Sequence, residues 1–176
     1  MKNPQVIKIL LLLAFLSFLV ITQGLQKNDP EVIGVKSDEN IEEGYYKVTE
    51  VVDGDTIKIN EIGTVRAIGI DTPETVDPRK EVECFGIEAS NKAKDLLEGK
   101  NVRLEFDSSQ GEVDRYGRIL AYIYLEDGRM FNEIMIKEGY AHEYTYSTKY
   151  KYQTTFKNAE EFAKELELGL WGNECQ

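Results

Sequence analysis

From Tyr45 onward the chain alternates apolar and polar residues in short bursts, the period of half-buried strands. Tyr45 to Val52, rich in aromatic and β-branched residues, predicts a first strand. Asp53-Gly54-Asp55 is a turn signal, and Thr56 to Ile59 resumes the alternation as a hairpin partner. Thr64 to Ile70, Val102 to Phe106 and Ile119 to Leu125 predict a third, fourth and fifth strand. Helical spacing interrupts this series. In Ile87 to Leu97, Ala89, Ala93, Leu96 and Leu97 share a face, with Gly99 as the stop. Asp127-Gly128 marks a turn, followed by a short helix from Phe131 to Glu138 ended by Gly139. A last helix runs from Thr155 to Leu168, with a stripe of Phe156, Ala159, Phe162, Ala163 and Leu166 before Gly169.

Three strands, a helix, two strands and two helices make an α+β chain. The strand count fits a five-stranded OB-fold β-barrel with about three helices packed against it. Two N-terminal stretches stand apart. Ile9 to Ile21 is apolar except for Ser17, and Lys2 and Lys8 precede and flank it. Thirteen residues suit a signal-peptide core better than a membrane span of about 20. Residues 1–24 therefore read as a signal peptide with cleavage after Gly24, or as an N-terminal anchor with a tether through residues 6–22. Residues 25–44 are an acidic linker with few side chains able to anchor a core. The folded domain is expected over 45–176.

Composition narrows the chemistry. The chain of 176 residues has 21 Lys+Arg against 32 Asp+Glu, a net charge of −11. Without Lys2 and Lys8, 19 basic side chains face 32 acidic ones. Such a balance argues against stoichiometric coating of nucleic acid, whose affinity comes from phosphate neutralisation. It leaves room for an enzyme that holds one phosphodiester at a charged site. One histidine excludes chemistry that needs a pair, and two cysteines exclude a four-cysteine metal site. His142 reads as a surface or loop residue.

Asp53-Gly54-Asp55-Thr56 sets two carboxylates beside a hairpin, and Asp71-Thr72-Pro73-Glu74-Thr75 is a second acidic corner after a strand. Pro73 lacks a donor and keeps Thr72 out of helical geometry, so the corner is a fixed bend. Asp55, Asp71 and a backbone carbonyl would form an oxygen-rich, incomplete cage of the kind that suits Ca²⁺. Either acidic motif alone is also an ordinary turn. Arg66 interrupts an apolar strand, where a buried cation needs a partner. Arg118 opens the fifth strand, and by itself reads as a surface arginine. Two guanidinium forks near two carboxylates would make a phosphate site. Simple alternation, however, puts Arg66 and Asp71 on opposite faces unless the chain bends near Gly69.

Taken together in this order, Asp-Gly-Asp-Thr, an arginine five residues before Asp-Thr-Pro-Glu-Thr, Gly-x-Glu-Ala-Ser, Asp-Arg-Tyr-Gly-Arg-x-Leu-Ala-Tyr and a terminal Leu-Trp resemble the staphylococcal nuclease family. The resemblance runs from about Tyr45 to Trp171. It implies an OB-fold, a secreted, Ca²⁺-dependent nuclease of DNA and RNA, and 3′-phosphate products. By motif match, Asp55 and Asp71 would bind Ca²⁺ with the Thr72 carbonyl, Glu74 would be the general base, and Arg66 and Arg118 would hold the phosphate. Arg115, Tyr116, Tyr144 and Tyr146 would contact substrate. Arg115 stands where the family's familiar member has lysine. A tyrosine-rich segment from Tyr140 to Tyr152 also reads as local packing. No protein partner is implied, and a monomer is expected. The rival readings are a non-catalytic OB-fold module binding nucleic acid or protein, and a Ca²⁺-binding surface protein. Export together with two, and only two, cysteines predicts a Cys84–Cys175 disulfide.

Overall fold

The computed structural model describes residues 44–175 except 77 and 80, within one compact unit, Ile41–Gln176. The leader, and the acidic linker up to residue 43, lie outside the described residues. No helix among the described residues is long and apolar enough to cross a membrane.

Among the described residues, seven strands and three α-helices follow in the order β1 (Tyr46–Asp53), β2 (Thr56–Ile59), β3 (Gly63–Ala67), β4 (Ile70–Asp71), α1 (Gly86–Leu97), β5 (Asn101–Glu105), β6 (Ile119–Leu125), α2 (Phe131–Lys137), β7 (His142–Glu143) and α3 (Gln153–Glu165). Five strands close into a barrel in the order β1-β2-β3-β6-β5, and β5 pairs back onto β1 through Tyr46↔Val102. β3 and β6 run parallel, with Val65↔Ile119, Arg66↔Leu120 and Ala67↔Ala121 in register. This is the expected α+β OB barrel with three helices. Alternation puts Val48, Ile57, Ile59, Val65, Val102 and Ile123 in the core, each at most 1% exposed.

The helices seal the barrel. Ala89, Ser90, Ala93 and Leu97 form the buried face of α1, and Gly99 ends it in the left-handed region, φ +72°. The Gly99 and Lys100 backbones then bond to Val48, which joins the helix exit to β1. On α3, Phe156, Ala159 and Ala163 are buried. Phe162 and Leu166, placed by the pattern on the same stripe, are instead 43% and 55% exposed. The helix also stops at Glu165 rather than Leu168, and Glu167 turns left-handed at φ +53°.

The third strand departs most from expectation. It does not run to Ile70. It ends at Ala67, turns through Ile68 and Gly69, and resumes as β4. Gly69 has φ +77°, and a Cβ there would lie 2.7 Å from the Tyr150 ring and 2.9 Å from Phe156. Both the backbone angle and the space therefore demand glycine. Asn132, fully buried on α2, fixes the bend by donating Nδ2–H to the Ile68 carbonyl while its Oδ1 accepts the Ile123 N–H, both at 2.9 Å. β4 then pairs with β7, Asp71 opposite His142, an element too short for periodicity to show.

Candidate active site

The bend after β3 makes a site out of residues that alternation would separate. Arg66 on β3 donates Nη1–H to the carbonyls of Ala67 and Ile70, at 3.0 and 2.8 Å. Its Nη2 lies 3.0 Å from Asp55 Oδ2 and 2.9 Å from Asp71 Oδ1. Thus one guanidinium wraps around the bend and meets both acidic corners. The pairing answers the cost of burying Arg66, whose side chain is only 12% exposed. Asp55 Oδ2 also accepts the Thr72 N–H and Oγ1–H, each at 3.2 Å, tying the β1–β2 turn to the second corner. Gly54 permits this approach, since a Cβ there would lie 2.8 Å from the Thr72 side chain.

Asp53 was not an expected site residue, yet it is buried at the same place. Its Oδ1 accepts the Gly54 N–H at 2.8 Å and the Thr75 hydroxyl at 2.7 Å. Removal from water raises its pKa, opposed by the Thr75 and Gly54 hydrogen bonds. Glu74 sits within the second corner. Its Oε1 accepts the Val76 N–H at 2.7 Å, and its own N–H donates to Glu83 Oε2 at 3.0 Å.

Arg118 approaches from the neighbouring strand. Asp114 to Arg118 form a tight turn with Gly117 left-handed at φ +79°. Asp114 Oδ1 accepts the N–H groups of Tyr116 and Arg118, and Oδ2 receives the Arg118 fork at 2.7 Å from both Nε and Nη2. Burial alone would raise the Asp114 carboxyl, but the Arg118 backbone and side-chain hydrogen bonds outweigh it and lower its pKa. Arg118 Nη1 reaches Thr56 Oγ1 at 3.3 Å, next to the Thr56↔Arg66 pair of β2 and β3. Among the described residues, Asp114 and Thr56 take three of the five guanidinium N–H donors and leave the outer Nη edge for another acceptor. Asp114 was legible as the partner, four residues before Arg118 in a Gly-containing turn.

A cleft of about 450 Å³ has Arg66, Asp71, Arg118, Tyr116, Tyr144 and Tyr146 among its walls, while Asp55, Thr72 and Glu74 are not among its lining residues. Arg115 also lines it and stacks over the Tyr116 ring at 4.8 Å, with Arg118 over the same ring at 5.4 Å. Tyr116 and Tyr146 are 68% and 69% exposed, and the Tyr144 and Tyr146 rings lie 6.4 Å apart. The tyrosine-rich segment therefore divides: Tyr144 and Tyr146 face the cleft, while Tyr150 is buried, its hydroxyl 2.8 Å from Glu143. His142 packs edge-on against Trp171 at 4.9 Å and lies 3.9 Å from Glu160.

No group of three or more His, Cys, Asp or Glu gathers as a metal cage among the described residues. The donor set nonetheless fits a hard cation. Two carboxylate oxygens converge within 3.0 Å of one cationic nitrogen, and the cysteines are joined to each other by a disulfide. With only two carboxylates, a carbonyl and water would have to complete the shell.

The chain matches the family model described as staphylococcal nuclease homologue over residues 64–173. It is 45% identical over 137 residues to a thermonuclease of Staphylococcus hyicus, covering 76% of this chain and 79% of that protein. It is 42% identical over 139 residues to a thermonuclease of Staphylococcus intermedius, covering 77% and 81%. An SPbeta prophage-derived endonuclease of Bacillus subtilis is 43% identical over 124 residues, 68% of this chain and 41% of that protein. With the closed barrel and these identities over most of its length, the chain belongs to the staphylococcal nuclease family.

Proposed function

We propose that this chain is a Ca²⁺-dependent nuclease that hydrolyses phosphodiester bonds of DNA and RNA. The observation that carries the reading is that Arg66 and Asp71, which line a cleft with Arg118 and three tyrosines, meet the buried Asp55 carboxylate through the Arg66 guanidinium. Asp55, Asp71 and the Thr72 carbonyl would hold Ca²⁺, which supplies Lewis-acid stabilisation of charge on a phosphate oxygen. Every other role falls to side chains of this chain. Arg118 offers its outer Nη edge to the phosphate, and Arg66, whose Nη groups are held by two carbonyls and two carboxylates, would bring its Nε–H and its positive charge. Attack adds negative charge to the equatorial oxygens, and preorganised guanidinium groups stabilise it without reorganising. Glu74 accepts a proton from the attacking water. Tyr116, Tyr144 and Tyr146 are platforms for bases, and Arg115 adds a cation at the cleft's edge.

Water attack with cleavage of the P–O5′ bond leaves a 3′-phosphate and a 5′-hydroxyl. End analysis of a digested, labelled oligonucleotide is the test. Fragments that accept a 5′ label without dephosphorylation and carry a 3′-phosphate support the reading. Fragments with 5′-phosphate ends contradict it. Secretion, or anchoring with the domain facing outside, is part of the same proposal. It agrees with the disulfide, which persists in an oxidising compartment. The intact set of Asp55, Arg66, Asp71, Glu74 and Arg118 favours an enzyme over a non-catalytic binding module.

A further inference from the structure

The Cys84–Cys175 bridge lies one residue from a contact with Glu74. Two hydrogen bonds bracket the Glu74 backbone. Its N–H donates to Glu83 Oε2 and its carbonyl accepts the Glu83 N–H, both at 3.0 Å. Glu83 is therefore the base of the loop that follows the acidic corner. Glu83 is exposed and Glu74 half-buried, so water competes for this pair of hydrogen bonds and each contributes modestly.

The next three residues supply what the hydrogen bonds lack. Cys84 is covalently joined to Cys175, 91 residues away. Phe85 occupies the left-handed region at φ +65°, caps α1 and packs against Tyr140 at 5.4 Å between ring centres. Gly86 is buried so close to the corner that a Cβ would lie 2.7 Å from Thr75 and 3.3 Å from the Pro73 carbonyl. The other end of the bridge is docked as well. The Leu170 N–H donates to the Gly139 carbonyl at 2.9 Å, and Trp171 packs on His142, which pairs with Asp71. The C-terminal tail thus reaches both ends of the acidic corner: Asp71 through Trp171 and His142, Glu74 through Cys175, Cys84 and Glu83.

We propose that Glu83 is a positioning residue for Glu74, and that the Cys84–Cys175 bridge is the clamp that keeps it there. Turnover then depends on the tail although no tail residue is among those lining the cleft. The proposal rests on the reading of Glu74 as the proton acceptor. A base displaced by about an ångström loses on the order of a hundredfold in rate, so a loosened clamp is read in kcat.

The test uses the full chain and compares the parent with C84S/C175S, E83A, E83Q and E74Q, well below each melting temperature. Two quantities are measured: kcat and KM on single-stranded DNA, and hydrogen exchange at the Glu74 amide. Opening the bridge is expected to lower kcat by about tenfold or more with KM little changed, and to speed exchange at Glu74. E83A should do the same with the bridge intact. E83Q should restore both, because its amide oxygen still accepts the Glu74 N–H. E83A added to C84S/C175S should cost little more, since both act through one contact. A folded C84S/C175S protein with parental kcat and parental exchange overturns the proposal. So does a fall in kcat with unchanged exchange. If C84S/C175S does not fold, E83A against E83Q in the bridged chain decides. If E74Q retains parental kcat, the proton-acceptor reading fails, and exchange at the Glu74 amide alone decides whether the clamp exists.

Discussion

Replacing Glu74 by glutamine is expected to lower kcat by about 10²–10⁴ while KM stays near its parental value. The substitution removes a proton acceptor and one negative charge. Glutamine keeps the size of the side chain, and its amide oxygen can still accept the Val76 N–H that Glu74 Oε1 receives at 2.7 Å. The backbone stays bracketed by Glu83. Binding should therefore survive, because the arginines and tyrosines that face the cleft are untouched. Single-turnover cleavage of a short single-stranded DNA separates the chemical step from product release. A variant with parental single-turnover rate would remove Glu74 from the chemistry.

Much of this arrangement could be read before the fold was known, and the exceptions have physical causes. The β6 strand, Ile119–Leu125, has the expected limits because a continuous apolar and aromatic run lies between a turn and Asp127-Gly128. The third strand does not. Its apolar pattern continues through Ile68 and Ile70, yet Gly69 turns the chain, held by Asn132 and packed under Tyr150. Hydrophobic periodicity reports burial, and residues on either side of this bend are buried alike. The bend is also what brings Arg66 and Asp71 within 2.9 Å, so the least legible part of the strand is the part that builds the site. Glu83 was hidden for another reason. It stands in an acidic, exposed run beside Glu81, where one more carboxylate carries no signal until its contact with Glu74 is seen. Phe162 and Leu166 share the apolar stripe but not the core: Ala163 takes the buried position beside Phe162, whose exposed ring lies under the Lys137 ammonium at 5.5 Å, and Leu166 follows the end of the helix.

Arg118→Lys should be the second large effect, a loss of about 10²–10³ in kcat although the charge is kept. Asp114 takes Nε and Nη2 of Arg118, and Thr56 takes Nη1, so the guanidinium is oriented with its outer edge presented to the cleft. A lysine ammonium can satisfy Asp114 or a phosphate, but it cannot span both with fixed geometry. The variant should still fold, since β6 begins after this residue and its barrel pairing is made by backbone groups. Circular dichroism and a thermal melt establish that, and steady-state kinetics read the loss. Near-parental kcat in Arg118→Lys would mean that Arg118 serves only to close the Asp114 turn.

Asp55 and Asp71 are expected to hold a divalent cation on which hydrolysis depends. Initial rates on single-stranded DNA, measured with Ca²⁺, with Mg²⁺ and with chelator, address it directly, with Asp71→Asn alongside. Ca²⁺ should support cleavage, chelator should abolish it, and added Ca²⁺ should restore it. Mg²⁺ should serve poorly, because it demands a near-octahedral shell that two carboxylates and a carbonyl do not impose. Asp71→Asn should need more Ca²⁺ to reach its own maximal rate. Equal rates in all three conditions, with Asp71→Asn unchanged, would contradict the assignment.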